Sequence, residues 1–416
     1  MEQFQEKAKN SHLKMVWKDK SHCTGCAACA IKCSHKAITM LQDEEGFFYP
    51  CIDSDKCVDC GLCQKICPQT NTDKFLNTEE PQFYGGVISE NELLMKSSSG
   101  GAFSAICNLL DKGSVVCGCT YDNGLKVIHQ CAANTYEDTA KFRKSKYVQS
   151  DVRKVYKEIK EHLGYGKKVL FTGTACQVVG LYAYLGGKPD KLYTVDLICH
   201  GVPSQYVFDK YIDSLSRKSG IAVTRYSFRE KSYFWGDWEI GIKYGNEQKS
   251  KYKAWGQDYY MSGFLRGLFY RPACYECKYA NRNVWRPADF TIGDFWGCAE
   301  INPSFHEKKG CSLLIANSRK AKDLIPQLSK YMLLSEVNAE TAIRENHNLI
   351  EPTKHNKQRS DFFRLLQEHD FETAIRILYK GKSRSHSQTL RVIITKLFPW
   401  LVMKRRKKII DERNNR

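Results

Sequence analysis

The chain has 416 residues, with 64 Lys and Arg against 46 Asp and Glu, a formal net charge of +18 and 19 cysteines. Its length allows roughly two to three domains with chain to spare for a buried core, and a 42% hydrophobic, 12% aromatic composition excludes a disordered or fibrous chain. No apolar run reaches the roughly 20 residues that span a bilayer, and no signal peptide opens the polar N-terminus, so this many cysteines points to metal ligation in a reducing, cytoplasmic compartment.

Residues 1–20 read as a polar leader, and 21–75 as a small domain built around one spacing written twice. Cys23, Cys26, Cys29 and Cys33 form the first C-x2-C-x2-C-x3-C run; Cys57, Cys60, Cys63 and Cys67, followed by Pro68, form the second. This is the bacterial ferredoxin spacing, in which the fourth cysteine of each run ligates the other cluster. Three cysteines in a tight loop clasp three corners of one cube, and the fourth leaves on a helical turn pointing away. Cys23, Cys26, Cys29 and Cys67 are therefore assigned to one 4Fe–4S cluster, and Cys57, Cys60, Cys63 and Cys33 to the other. Ser34 stands where the first run would carry a proline. Structural zinc, the competing use of such ligands, wants longer gaps between its cysteine pairs. Between the runs, 37–40 and 46–50 read as a hairpin, and the polar stretch 71–82 as a linker.

From 83 onward strands alternate with helices, which predicts a mainly parallel α/β sheet. Strands are expected at 83–88, 115–119, 126–130, 168–171, 193–198, 289–292 and 312–316. Helices are expected at 102–110, 151–163, 175–185 and 261–269. Residues 221–255 alternate and are rich in aromatics, which predicts an antiparallel insertion, and 321–416 reads as a polar helical region ending in a basic tail. Four further cysteines sit where such sheets make sites. Cys176 and Cys199 each follow a strand, at the carboxyl edge that borders the ligand crevice of an open α/β sheet, and Cys274 and Cys277 form a C-x2-C pair. Four thiolates of this kind suit either a cube or zinc. Cys51, Cys107, Cys117, Cys119, Cys131, Cys298 and Cys311 read as small core residues.

These motifs resemble the coenzyme F420 hydrogenase/dehydrogenase beta-subunit family. Its Gly-Thr-Pro-Cys-Gln element is similar to Gly173-Thr174-Ala175-Cys176-Gln177, with alanine in place of proline. Its later strand-end cysteine matches Cys199, and its C-x2-C followed by a strand and a glycine-rich turn matches Cys274, Cys277 and residues 288–297. The resemblance covers about residues 21–320. It implies a flavin domain divided into 83–165 and 166–320, and a third 4Fe–4S cluster on Cys176, Cys199, Cys274 and Cys277 beside a bound FAD. Read from the residues, Ser97-Ser98-Ser99-Gly100-Gly101 is an ordinary helix start; the resemblance makes Ser98, Ser99, Gly100 and Gly101 flavin contacts. Lys146 lies in a basic, aromatic loop that could hold a phosphate and stack on a ring system or equally be a solvated surface loop; with Thr172, Gly173 and Thr174 beside Cys176 it completes the expected flavin set.

A cube passes one electron, whereas a flavin takes one or two. The implied function is an iron–sulfur flavoprotein oxidoreductase. Electrons from ferredoxin or another low-potential donor would reach FAD and an organic two-electron substrate, sugar-linked by family analogy. His200 is the candidate proton donor, with packing beside the cluster as its alternative role; Asp196 and Asp294 are weaker candidates. The rival readings are a non-catalytic electron-transfer subunit of a larger redox complex and an iron–sulfur scaffold without flavin. An apolar stretch at 390–403 before Lys404-Arg405-Arg406-Lys407-Lys408 fits contact with an anionic membrane surface at the inner face, or a packed helix with a solvated end. No nucleic-acid module accompanies the charge.

Overall fold

The computed structural model describes residues 13–379, apart from 18, 232–234, 281–283, 304, 306–308 and 345. The basic tail and its expected membrane contact lie outside the described residues. Among the described residues there are fourteen strands, β1 to β14 in chain order. The N-terminal unit contains β1 (Leu13–Met15), β2 (Ile38–Gln42) and β3 (Phe48–Asp53), paired antiparallel in the order β1-β3-β2. Part of the expected leader is therefore a strand, with Leu13 opposite Asp53.

The central sheet has eight strands: β4 (Gln82–Ile88), β5 (Val115–Tyr121), β6 (Val127–Ala133), β7 (Val169–Thr174), β8 (Leu192–Leu197), β12 (Phe290–Asp294), β13 (Ser312–Ala316) and β14 (Met332–Val337). They lie in the order β14-β4-β13-β12-β8-β7-β5-β6. The four central strands, β12-β8-β7-β5, run parallel, and the flanks pair antiparallel. Successive side chains of a strand point to opposite faces. Val169 and Phe171 accordingly pack with the helices Val155–Gly164 and Ala175–Leu185, while Leu170 packs with Ala102–Cys107 and Arg319–Leu328 on the other face. Burial on both faces is what a near-continuous apolar strand requires.

The expected insertion is the antiparallel sheet β11-β10-β9, from β9 (Val223–Glu230), β10 (Glu239–Tyr244) and β11 (Lys251–Ala254). Its apolar face joins an aromatic core that includes Phe208, Tyr226, Phe228, Tyr260, Phe269 and Phe371.

Three further features depart from the sequence reading. The helix Gln205–Ser219 went unread, although Ser204 caps its start, Gly220 ends it at φ 70°, and Val207, Phe208, Tyr211 and Ile212 mark its buried face. The polar stretch expected to be helical contains edge strand β14, paired to β4. Cys117 and Cys131, expected as free core thiols, face each other across β5 and β6 and form a disulfide.

The N-terminal unit docks against the larger one through named contacts. Lys32 Nζ donates to Tyr184 O (3.1 Å), Gln149 Nε2 to Thr24 O (2.9 Å), Ser204 Oγ to Glu45 O (2.6 Å) and Lys278 Nζ to Gln69 O (2.8 Å). Arg359, at the start of the helix Arg359–Glu368, pairs with Glu45 and donates to Tyr270 O (3.0 Å). The connecting stretch is fastened too, since Asn77 Nδ2 donates to the Arg286 and Ala288 carbonyls (2.9 and 2.8 Å).

Candidate metal centres and the adjoining crevice

The two cysteine runs repeat in conformation as well as in spacing. In the first loop Gly25 (φ 71°) and Ala27 (φ 60°) flank Cys26; in the second, Asp59 (φ 47°) and Gly61 (φ 67°) flank Cys60. Left-handed backbone disfavours residues with a Cβ, yet each loop holds one such residue there. Turns of this kind aim successive amide N–H groups inward and form anion-binding concavities of the sort that hold iron–sulfur clusters. Both loops therefore fit a cube.

The thiols gather as the spacing requires. Cys26, Cys29 and Cys67 are raised in pKa, Cys26 to about 12, first by burial and then by repulsion among Cys23, Cys26, Cys29 and Cys67. Such thiols stay protonated unless a metal core offsets the charge of their thiolates. Cys57, Cys60 and Cys63 form the second group. The helix Ala28–Lys32, which ends at Cys33, packs on Leu62–Lys65 and so brings the fourth cysteine toward them. The two groups differ in exposure: Cys23 is buried, whereas the loop around Cys60 faces solvent.

Cys176, Cys199, Cys274 and Cys277 converge at the ends of β7 and β8. Burial pushes Cys176 to about 11 and Cys199 to about 12, and Cys274 upward; repulsion among the four adds to the shift. Thr174 Oγ1 lies 3.1 Å from Cys176 Sγ, and the amides of Gly201 and Val202 bond to Cys199 and Cys274. Arg286, buried, fastens the C-x2-C segment to β8. It bonds Asp196 (3.1 Å), the Tyr279 carbonyl (2.8 Å) and the Leu197 carbonyl (2.8 Å). Asp196 also accepts from Thr291 Oγ1 (2.6 Å), so its carboxylate serves this brace. Among the described residues no three ligand-type side chains converge closely enough for a single metal ion.

The buried N-terminal group and this third group meet directly. Gly180, on the helix that Cys176 opens, sits where an added Cβ would lie 2.6 Å from Cys26 Cβ and 3.2 Å from its Sγ. Tyr156 and Tyr279 each feel both Cys26 and Cys176.

The expected flavin residues line one edge of the sheet next to these thiols. Ser98 Oγ accepts from Ser145 N (2.8 Å), which places the 97–101 loop beside Lys146. Lys146 Nζ donates to the carbonyls of Arg143 (2.8 Å) and Lys141 (3.0 Å), and burial lowers its pKa to about 8. His129 lies between Lys146 and β7. Its Nε2 donates to Thr172 O (2.7 Å), and burial lowers its pKa to about 4. Gly173 and Thr174 lead from there to Cys176. The serine loop itself is occupied: Ser99 Oγ donates to Cys311 O (2.6 Å) and Gly100 is wedged against Gly86 O. Gly101 caps a helix of only six residues, Ala102–Cys107.

Sequence reasoning missed a second, basic wall. Arg229, 3% exposed, donates through Nη1 to Asp294 (2.7 Å), lies over Trp238 and also interacts with the Tyr147 hydroxyl. Lys231 Nζ donates to Leu94 O (2.7 Å) and Ser99 O (2.6 Å); burial, then the charge of Arg229, lowers its pKa to about 7. Trp235 stacks on Trp296 at 4.2 Å and donates to Ser98 O (3.1 Å). The signal was the alternation 226–231, read only as a strand. His200 stands at the rim, near Phe264 (6.4 Å); crowding lowers its pKa and Asp294 opposes that shift.

Residues 166–341 match the model for the C terminus of the coenzyme F420 hydrogenase/dehydrogenase beta subunit, and residues 22–71 that of a 4Fe-4S dicluster domain. Among solved structures, the chain is similar to one from the F420-reducing NiFe hydrogenase complex of Methanosarcina barkeri. That match has 16% identity and a TM-score of 0.44, and covers 68% of this chain and 92% of that one. No curated protein matches. No helix among the described residues is long and apolar enough to cross a membrane.

Proposed function

Because the chain joins a 4Fe-4S dicluster domain to the C-terminal domain of the coenzyme F420 hydrogenase/dehydrogenase beta-subunit family, we propose that it is an oxidoreductase with an ordered three-cluster relay ending at a flavin. The cluster of Cys57, Cys60, Cys63 and Cys33 lies at the surface, where a low-potential donor such as ferredoxin docks. The cluster of Cys23, Cys26, Cys29 and Cys67 lies inside, and Cys176, Cys199, Cys274 and Cys277 hold the third. The observation that carries this order is the contact of Cys26 with Gly180, one helical turn from Cys176. When bound, the clusters supply single-electron transfer and the flavin pairs those electrons.

The protein's own groups do the rest. In this reading Thr172, Gly173, Thr174, Lys146 and Ser98 would border the flavin on the sheet side, and the cationic Arg229 and Lys231 beside the serine loop would suit a diphosphate or anionic substrate. On the same reading the Trp235–Trp296 stack would shield that space from water, and His200, whose pKa is lowered by burial, would be the nearby imidazole able to exchange a proton. A second reading, an electron-transfer subunit that borrows its partner's substrate site, is favoured by one observation: the hydroxyls of Ser98 and Ser99 already serve internal bonds.

The deciding experiment is anaerobic purification of the chain alone, followed by reduction with ferredoxin. About one flavin per chain, bleached without a partner protein, supports the enzyme. Full iron content with no flavin supports the subunit.

A further inference from the structure

Arg271 is 1% exposed and makes no hydrogen bond to a carboxylate among the described residues. Its Nε donates to Cys23 O (2.6 Å), Nη1 to Gln149 Oε1 (3.0 Å), and Nη2 to Phe48 O (2.8 Å) and, more weakly, to Cys23 Sγ (3.8 Å). The guanidinium lies over Tyr49 at 4.3 Å and Phe47 at 5.3 Å. An added Cβ at Gly25 would meet Nη1 at 2.7 Å, so the first cysteine loop wraps directly onto this cation. Three residues along the chain comes Cys274, and the charge of Arg271 is felt at Cys176. A guanidinium taken out of water needs an anion to offset its desolvation. Here the anion at hand is the thiolate-bound centre.

We infer that Arg271 is the buried counter-charge of the cluster held by Cys23, Cys26, Cys29 and Cys67, and that it holds that cluster's potential above that of the surface cluster. Reduction adds one electron from the donor and one negative charge to the centre. A fixed positive charge favours the reduced form, and Arg271 itself gains and loses no proton. Hydrogen bonds and local charge are general means of setting cluster potentials. Arg271 is thus a positioning and tuning residue, placed where electrons leave the N-terminal domain. The inference rests on the two four-cysteine assignments of the N-terminal domain and stands with or without the flavin or the third cluster.

The test is a dye-mediated redox titration of the intact chain followed by electron paramagnetic resonance, with iron content measured on each sample. In Arg271→Gln with full iron, the reduced-to-oxidised ratio of one cluster at a fixed potential should fall about tenfold, a downward shift of about 59 mV. The surface cluster should stay in place, and Arg271→Lys should restore most of the shift. A fully loaded Arg271→Gln with unchanged potentials overturns the inference. Should Arg271→Gln lose iron, the wild-type titration decides: a buried-cluster potential above that of the surface cluster supports the role, and one at or below it refutes the inference. Failure of the cysteine assignment itself would show separately, as iron unaffected by Cys23→Ser and Cys67→Ser.

Discussion

Replacing Gly180 with alanine tests the join between the two units by the sign of its effect. Inside an exposed helix, glycine to alanine stabilises by about 1 kcal/mol. Here the new methyl would lie 2.6 Å from Cys26 Cβ and 2.9 Å from Tyr156 Oη. Neither neighbour yields easily: Cys26 is held in its ligand loop, and Tyr156 is buried with its hydroxyl bonded to Gln177 O at 2.6 Å. Overpacking of this kind costs about 1–3 kcal/mol, so the net effect should be a destabilisation of about 0–2 kcal/mol. Gly164, near the end of the helix Val155–Gly164 with nothing within 4 Å of an added Cβ, is the control. Denaturant midpoints of Gly180→Ala and Gly164→Ala, read by bleaching of the cluster absorbance, give the comparison. A Gly180→Ala protein stabilised as much as the control would mean that the helix of Cys176 does not touch Cys26.

Two other perturbations bear on the same account. Lys231 has a folded pKa of about 7 against an ordinary 10.5. Between those values the unfolded chain binds a proton that the folded one does not, so this lysine makes stability rise with pH across that window. Lys231→Met should flatten the slope, with its largest advantage at or below about pH 7; an unchanged slope in denaturation series would remove Lys231 from the basic wall. Arg359→Ala leaves Glu45 half-buried without its partner and should cost about 3 kcal/mol, the low end for a broken buried pair. Adding Glu45→Ala should recover much of that, and a loss too small to measure would mean that the C-terminal helix does not clamp the N-terminal unit.

The dicluster domain was legible because its cysteine runs keep a fixed spacing, and the positions of Cys176 and Cys199 at the ends of β7 and β8 could be read from the chain. The central strands were legible as well, since β5 and β7 begin with apolar residues facing both ways and β8 keeps Leu192 and Val195 in the core. What escaped was partner choice across long separations. Arg271 and Arg286 carry no sequence signal beyond a following proline, and only folding sets one on Cys23, 248 positions away, and the other on Asp196. The Cys117–Cys131 disulfide escaped for the same reason, because it depends on the register of β5 against β6. β14 was hidden by its edge position, where one polar face leaves a weak strand pattern.

The most direct test of the relay is iron content and the reduced-state paramagnetic spectrum of the wild-type chain beside a Cys176→Ser, Cys199→Ser, Cys274→Ser, Cys277→Ser variant. The account predicts about 12 irons falling to about 8, with loss of the magnetic interaction between the buried cluster and its neighbour. Equal iron and identical spectra in the two proteins would contradict it.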